Sequence, residues 1–411
     1  MKSDAVKELP GVIEQIHSRI NSAENQRRLA KQSALNRREK LYSFNSWRWS
    51  AGISVGNSAS PISGMSIKDM ALQLGDVSEE FAAAVIKKQL ESQIDFFDHV
   101  VSDTPVATQI FSNMGLSWLY TENPVGEICK VDPDTGAFVH IPLLKDSCEE
   151  WISLPANPAL NFDKELHDRR MNVYSGLTGG MFPLFDDLIP LPIGSIFGAA
   201  SRLRGDAELL MDFRLCPDDV HALMRYLIKA AKIYNPAWEQ FMKNDLWRNP
   251  PAAFENYPMY IFTSITGLGG LPMFLAGEDH ISADMFSETD YLEFVFPYQK
   301  EITPLFPDWY VHSCGNLSPF YKHIATLPNI RRVHVSPWSR LEDAVEAFGN
   351  SVILEIHLPV DFDTLSRADV EDLADHIIDV CGNDCTVDVV ISPSENGRHY
   401  RDRILKRARQ E

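Results

Sequence analysis

From about residue 190 onward the sequence alternates short apolar runs with amphipathic segments, and this alternation restricts the fold more than any other feature. The runs "LPIGSIFGAA", "PMFLAGED", "DWYVHSCGN", "RRVHVSPW", "SVILEIHLP" and "CTVDVVISPS" are separated by helical stretches such as "SETDYLEFVFPYQKEI", "LSPFYKHIATL", "RLEDAVEAFG" and "RADVEDLADHIIDVCG". Strands that alternate with helices imply parallel strands joined by crossovers. A doubly wound open sheet usually carries a glycine-rich phosphate turn after its first strand, and neither G-x-G-x-x-G nor G-K-[ST] occurs here. The sequence therefore predicts an α/β fold of the TIM (β/α)8 barrel type. It argues against an ATPase or a dinucleotide-dependent dehydrogenase. Each run turns polar or rich in Gly and Pro at its carboxyl end, which in a barrel is the face where chemistry collects.

A chain of 411 residues exceeds what such a barrel needs, and the surplus lies at the N-terminus. Residues 4–42 are rich in Ala, Leu, Glu, Lys and Arg, and Val6, Leu9, Val12, Ile13, Ile16 and Ile20 follow a helical stripe. Residues 44–66 carry Gly, Ser and Pro at loop density. The expected division is a helical arm with its connecting loop over 1–65 and a barrel over 66–411. The arm is expected to pack on the barrel or on a second subunit, so a homo-oligomer is compatible with it.

The formal net charge of −19 repels nucleic-acid backbones and anionic membranes. The basic stretch at 26–40, "QRRLAKQSALNRREK", reads as a solvated helix face. No apolar stretch approaches the roughly 20 residues of a membrane span, and the start of the chain lacks the apolar core of a signal peptide. A soluble, cytoplasmic protein is expected. Six cysteines in so long a chain form no disulfide framework, and the "CGNDC" pair, Cys381 and Cys385, lacks the second pair of a zinc site.

The carboxyl ends of the runs bring forward Glu278 and Asp279, His312 and Cys314, Ser336 and Trp338, Glu355 and His357, and Glu395 and Asn396. A single histidine in such a place is more often a hydrogen-bonded core residue than a ligand. So many ionisable groups behind apolar strands are another matter, because an unpaired buried charge is costly.

These stretches, together with "SIFGAASRLRGDAELLMDFRLCPDDVHALM", resemble the uroporphyrinogen decarboxylase superfamily over roughly residues 65–400. The resemblance implies a TIM barrel and one of two activities, decarboxylation of a porphyrinogen or methyl transfer with a corrinoid. Decarboxylases open with an arginine-bearing segment that "NRREKLYSFNSWR" (36–48) does not match. The methyltransferase branch carries His-x-Cys at a strand end and a later cysteine, which together grip zinc. His312-Ser313-Cys314 matches the first part, and "ISPSENG" places Glu395 where that cysteine would stand.

The resemblance thus implies a methyltransferase whose corrinoid is carried by a partner protein and whose small methyl donor or acceptor is tetrahydrofolate, a thiol, or a methoxylated or methylamine-type compound. His312, Cys314 and Glu395 are the expected zinc ligands, with a metal-free site as the alternative. Glu278, Asp279 and His312 are the expected catalytic groups. Ser336, Trp338, Glu355, His357 and Asn396 are expected to bind substrate. Decarboxylation, which would call on Arg204, Arg340 and Arg398, and a non-catalytic binding subunit are the competing expectations.

Overall fold

The computed structural model describes residues 4–45, 78–106, 110–112, 128–131, 138–145, 163–186, 193, 195–241, 247–248, 266–268, 271–277, 281–305 and 309–408. Its strands are β1 (Leu41–Asn45), β2 (Ile110–Phe111), β3 (Ile128–Val131), β4 (Phe138–Ile141), β5 (Leu184–Phe185), β6 (Trp247–Arg248), β7 (Thr266–Leu268), β8 (Leu271–Gly277), β9 (Trp309–His312), β10 (Ile330–Val335), β11 (Ile353–His357) and β12 (Thr386–Val390). The main sheet has the order β1-β12-β11-β10-β9-β8-β7. Every pairing from β1 to β8 is parallel, and β7 joins the edge antiparallel to β8. Separately, β2 pairs parallel with β5, β5 pairs antiparallel with β6, and β3 and β4 form an antiparallel pair.

The α/β class and the parallel strands joined by helices agree with the sequence pattern. Among the described residues the main sheet runs from β1 at one edge to β7 at the other, and no pairing between those edges closes it. No described helix is long and apolar enough to cross a membrane.

The helices are α1 (Asp4–Ile20), α2 (Ala23–Asn36), α3 (Glu79–His99), α4 (Lys164–Thr178), α5 (Ile196–Arg204), α6 (Asp206–Leu215), α7 (Pro217–Phe241), α8 (Phe296–Ile302), α9 (Leu341–Phe348), α10 (Arg367–Cys381) and α11 (Glu395–Ala408), with shorter turns between them. Serine starts several of them by accepting an otherwise unmatched backbone N–H: Ser22 from Asn25, Ser78 from Phe81 and Ser366 from Asp369. At Ser366 the Asp369 carboxylate returns the bond and completes a capping box.

The strands of the main sheet have two unlike faces. Phe44, Val311, Val333, Val335, Leu354, Ile356, Val387 and Val389 belong to a core shared with Leu341, Ala344 and Phe348 of α9, Ile377 and Ile378 of α10, and Tyr400 and Ile404 of α11. The intervening positions carry Ser43, Asn45, Tyr310, His312, Arg332, His334, Glu355, His357 and Asp388. Because side chains alternate across a strand, these polar groups share the opposite face. Purely buried parallel sheets are apolar on both faces, so this one is built to hold charge.

At the N-terminus the helical expectation holds over α1 and α2. Val6, Leu9, Val12, Ile13 and Ile16 of α1 pack with Ala82, Ala83, Val85, Ile86 and Leu90 of α3 in a second core. The stretch read as arm and loop nevertheless supplies a strand: β1 lies against β12, with Tyr42 and Phe44 on the apolar face. The basic stretch is the solvated face expected of it only in part: Arg27, Arg37 and Lys40 are exposed, whereas Arg28 is buried and Lys31 partly so. Asp103 is fully buried and accepts Lys31 Nζ at 2.6 Å, Arg27 Nη1 at 3.3 Å and the Phe44 N–H at 3.0 Å. Arg28 is buried too, donating to the Thr104 carbonyl at 3.0 Å and to Glu24 at 2.8 Å. Hydrogen bonding to Arg27, helped by Arg28 and opposed by partial burial, brings the Glu24 carboxyl down to about 2. A buried carboxylate needs such partners, and helix α2 supplies them.

Ile16 has no exposed surface. Its replacement by Ala is expected to lower stability by about 2–5 kcal/mol through lost burial and the cavity left behind. Urea denaturation of the full chain measures this, and an unchanged midpoint would mean that the helical arm contributes nothing to the fold.

Candidate functional site

The site begins with alternation on five parallel strands. In register, Tyr310 lies opposite Arg332, His334 opposite Glu355, and Glu355 opposite Asp388. This sets the polar side chains beside one another on the inner face. Glu355 stands at the middle of them and is only 1% exposed. Its Oε2 accepts Arg332 Nη1 at 2.8 Å, its Oε1 accepts the Tyr310 hydroxyl, and His357 Nε2 lies 2.9 Å from Oε1.

Arg332 does double service. The same Nη1 reaches Asp388 Oδ2 at 2.6 Å, and that oxygen also accepts Asn45 Nδ2 at 2.7 Å. Asn45 in turn accepts the Thr104 hydroxyl. Burial alone would raise the pKa of Glu355, but the hydrogen bond with His357 and the positive charge of Arg332 outweigh it and hold the carboxyl below its ordinary range. Glu355 is therefore ionised.

Three imidazoles complete the cluster. His312 and His334 stack in parallel with ring centres 4.4 Å apart and planes 3° from coplanar orientation, and His357 tilts against His334 at 4.0 Å. Burial, followed by the neighbouring His357 and His312 rings, pushes His334 well below the usual histidine range, with Glu355 offsetting only part of the shift. His334 stays neutral near pH 7. His357 is partly exposed and lies at the carboxyl end of β11.

Above the strand ends the loops are stitched together. The Ser313 hydroxyl donates to the Ile281 carbonyl at 2.6 Å, Ala283 N–H to the Asn316 carbonyl at 2.8 Å, and the Ser336 hydroxyl to the Gly315 carbonyl at 2.7 Å. Gly315 is there for close approach, since a Cβ on it would fall 2.4 Å from the Ser282 Cβ. The "HSCGN" stretch thus fastens neighbouring strand-end loops to each other.

Of the residues expected from sequence, His312, Glu355 and His357 are brought together. Glu278 and Asp279 lie outside the described residues. Ser336 is buried, but its hydroxyl serves the loop, and Trp338 is 65% exposed beyond β10. Asn396 holds the Phe362 and Leu365 carbonyls, each at 3.1 Å.

The expected zinc ligands do not assemble. His312 is buried among the imidazoles, Cys314 is exposed on the loop that follows, and Glu395 is exposed at the first turn of α11. Among the described residues no three His, Cys, Asp or Glu side chains are placed to hold a metal ion. The physical reason is local: alternation ends with β9, so the loop carries Cys314 away from the face on which His312 sits. The residues present do not fit the zinc site that the resemblance implies.

Tyr310, Arg332, His334, Asp388 and Asn45 escaped the sequence reading. The signal for them is the period-two placement of polar residues inside "YVH", "RVH", "EIH", "TVDVV" and "YSFN", at positions interior to the runs rather than at their ends.

No protein-family model matches the chain. No curated protein matches it either. Among solved structures, a methyltransferase from Methanosarcina mazei is similar over 88% of this chain and 96% of that chain, at 11% sequence identity and a TM-score of 0.45. A likeness of that degree decides neither fold nor activity, and the functional reading rests on the residues themselves.

The state of His334 has a measurable consequence. A histidine kept neutral when folded takes up a proton on unfolding below about pH 6.5, so its contribution to stability is complete above that pH and falls away on acidification, by at most about 1.4 kcal/mol per pH unit. Glu355, held low, adds a further loss only at more acidic pH, below about 4.3. Replacing His334 by Phe is expected to make the decline in melting temperature between about pH 6.5 and 5 shallower. An equally steep decline in that variant would show that His334 is not the group responsible.

Proposed function

We propose that the chain is a methyltransferase of a corrinoid-dependent system, acting over the carboxyl ends of β9, β10 and β11. One observation carries this reading beside the resemblance in sequence: three imidazoles gathered at those strand ends, one of them hydrogen-bonded to an ionised, buried Glu355. An acceptor that carries a proton must lose it on taking a methyl group, and a donor that gives its methyl group away must regain one. Imidazoles are the side chains suited to that exchange near neutral pH.

A corrinoid on the partner protein would supply the methyl group and keep the electron pair of the bond that breaks as the acceptor's nucleophilic atom takes the methyl carbon, while the imidazoles of the cluster would serve the acceptor's proton. The displaced proton passes to an imidazole of the cluster. Tetrahydrofolate, a thiol and methoxylated or methylamine-type compounds are the candidate small partners. The parallel order, with β1 beside β12, supports a further element of the proposal, a sheet that belongs to a closed eight-stranded barrel.

Decarboxylation of a polyacid is the weaker reading. It calls on Arg204, Arg340 and Arg398 to meet the substrate's carboxylates: Arg204 is engaged by Asp212 at 2.7 Å and the Leu144 carbonyl at 2.8 Å, whereas Arg340 and Arg398 are exposed, Arg340 near Glu342 and Asp343 and Arg398 donating to the Pro393 carbonyl.

Incubation of a methylated corrinoid with each candidate acceptor, and of a reduced corrinoid with each candidate donor, tests the proposal, because loss or gain of the methyl group changes the visible spectrum. Methyl transfer in one of these directions is expected with the wild-type chain, at a rate roughly 10²–10⁴-fold lower after His357→Ala. A spectrum unchanged with all of those acceptors and donors, or a variant as fast as the wild type, would count against it.

A further inference from the structure

We propose that Arg332 and Asp388 are positioning residues for His357, acting through Glu355 to keep the ring proton on Nε2 and so make Nδ1 the nitrogen that takes up or releases a proton. The reasoning starts with the carboxylate. An ionised Glu355 can only accept hydrogen bonds, so the 2.9 Å contact between its Oε1 and His357 Nε2 requires the ring to donate from Nε2. In the neutral ring the acceptor is then Nδ1.

What keeps Glu355 in that orientation is the arrangement behind it. Arg332 Nη1 is shared between Glu355 Oε2 at 2.8 Å and Asp388 Oδ2 at 2.6 Å, and Asn45 Nδ2 holds the same Asp388 oxygen at 2.7 Å. The pull of Asp388 keeps the guanidinium on one oxygen of Glu355 and leaves the other to Tyr310 and His357. A guanidinium without that competitor is free to take the carboxylate through both oxygens, the geometry it favours. Among the described residues, the groups that face His357 include Glu355 on its own strand, His334 of β10 and His312 of β9, with Tyr310, Arg332 and Asp388 one contact further away. With the imidazoles neutral, one guanidinium stands between two carboxylates, which favours a proton on His357 over one on the more deeply buried His334.

The role in proton exchange rests on the proposed function, whereas the tautomer does not. Nitrogen-15 spectra of the full chain labelled at histidine read the protonation of each ring nitrogen without any substrate, and His357→Gln assigns the signal. The wild type is expected to show a protonated Nε2 and an unprotonated Nδ1 at His357 in the neutral ring. Glu355→Gln should give a mixture of tautomers. Asp388→Asn, which removes a negative charge, should lower the pH at which the His357 signal titrates by roughly half a unit or more, and Asn45→Ser, which leaves Asp388 charged and loosens only its hold, should shift it by less. A proton on Nδ1 in the wild type, or Asp388→Asn and Asn45→Ser spectra identical to the wild type in both respects, would overturn the assignment. Should the expected spectra be found in a chain that transfers no methyl group, the proposed function fails while the assignment stands.

Discussion

The ionised Glu355 is the constraint on which the main sheet depends. Removing a carboxylate from water costs several kcal/mol, and only well-placed donors offset it. Those donors come from neighbouring strands: Tyr310 from β9, Arg332 from β10 and His357 from β11 itself. Arg332 then requires Asp388 of β12, and Asp388 is met by Asn45 of β1. A slip of one residue in any of these strands would turn its polar side chains toward the helices and its apolar ones toward the charge. Five strands are thereby held in register by the same group of side chains that makes the candidate site.

The other face answers to a different force. Val311, Val333, Leu354 and Val387 meet the apolar sides of the crossover helices, where burial is non-directional and tolerates exchange of similar volumes. Polar face and apolar face divide the work. The first specifies which strand sits where and with what register, and the second supplies most of the favourable free energy. The N-terminal helices extend the same logic, since Arg27 and Lys31 of α2 pair with the buried Asp103, which also accepts the Phe44 N–H of β1, and Arg28 is buried against the Thr104 carbonyl.

The strand-end loops explain why a stretch that looks like a metal motif does something else here. In "VHSCGN" the histidine still belongs to the strand and faces its neighbours, Ser313 turns inward to the Ile281 carbonyl, and Cys314 is left exposed. Gly315 allows Ser282 to approach closely. Sequence spacing alone treats His312 and Cys314 as a pair on one face. The end of the strand between them separates the two.

The sequence by itself determined the α/β class, the helical character of α1 and α2, and the gathering of polar residues at the carboxyl ends of the later strands, because period and local propensity are properties of short segments. His312, Glu355 and His357 were legible as strand-end polar residues for the same reason. Tyr310, Arg332, His334 and Asp388 were not, since a polar residue within an apolar run becomes a site only when neighbouring strands bring it a partner. The pairing of Arg27 and Lys31 with Asp103, the burial of Arg28 and the separation of Cys314 from His312 were likewise decided by tertiary structure. Charge pairing between residues dozens to hundreds of positions apart leaves no local period to read, and burial, which sets the cost of each unpaired group, exists only once the strands are assembled.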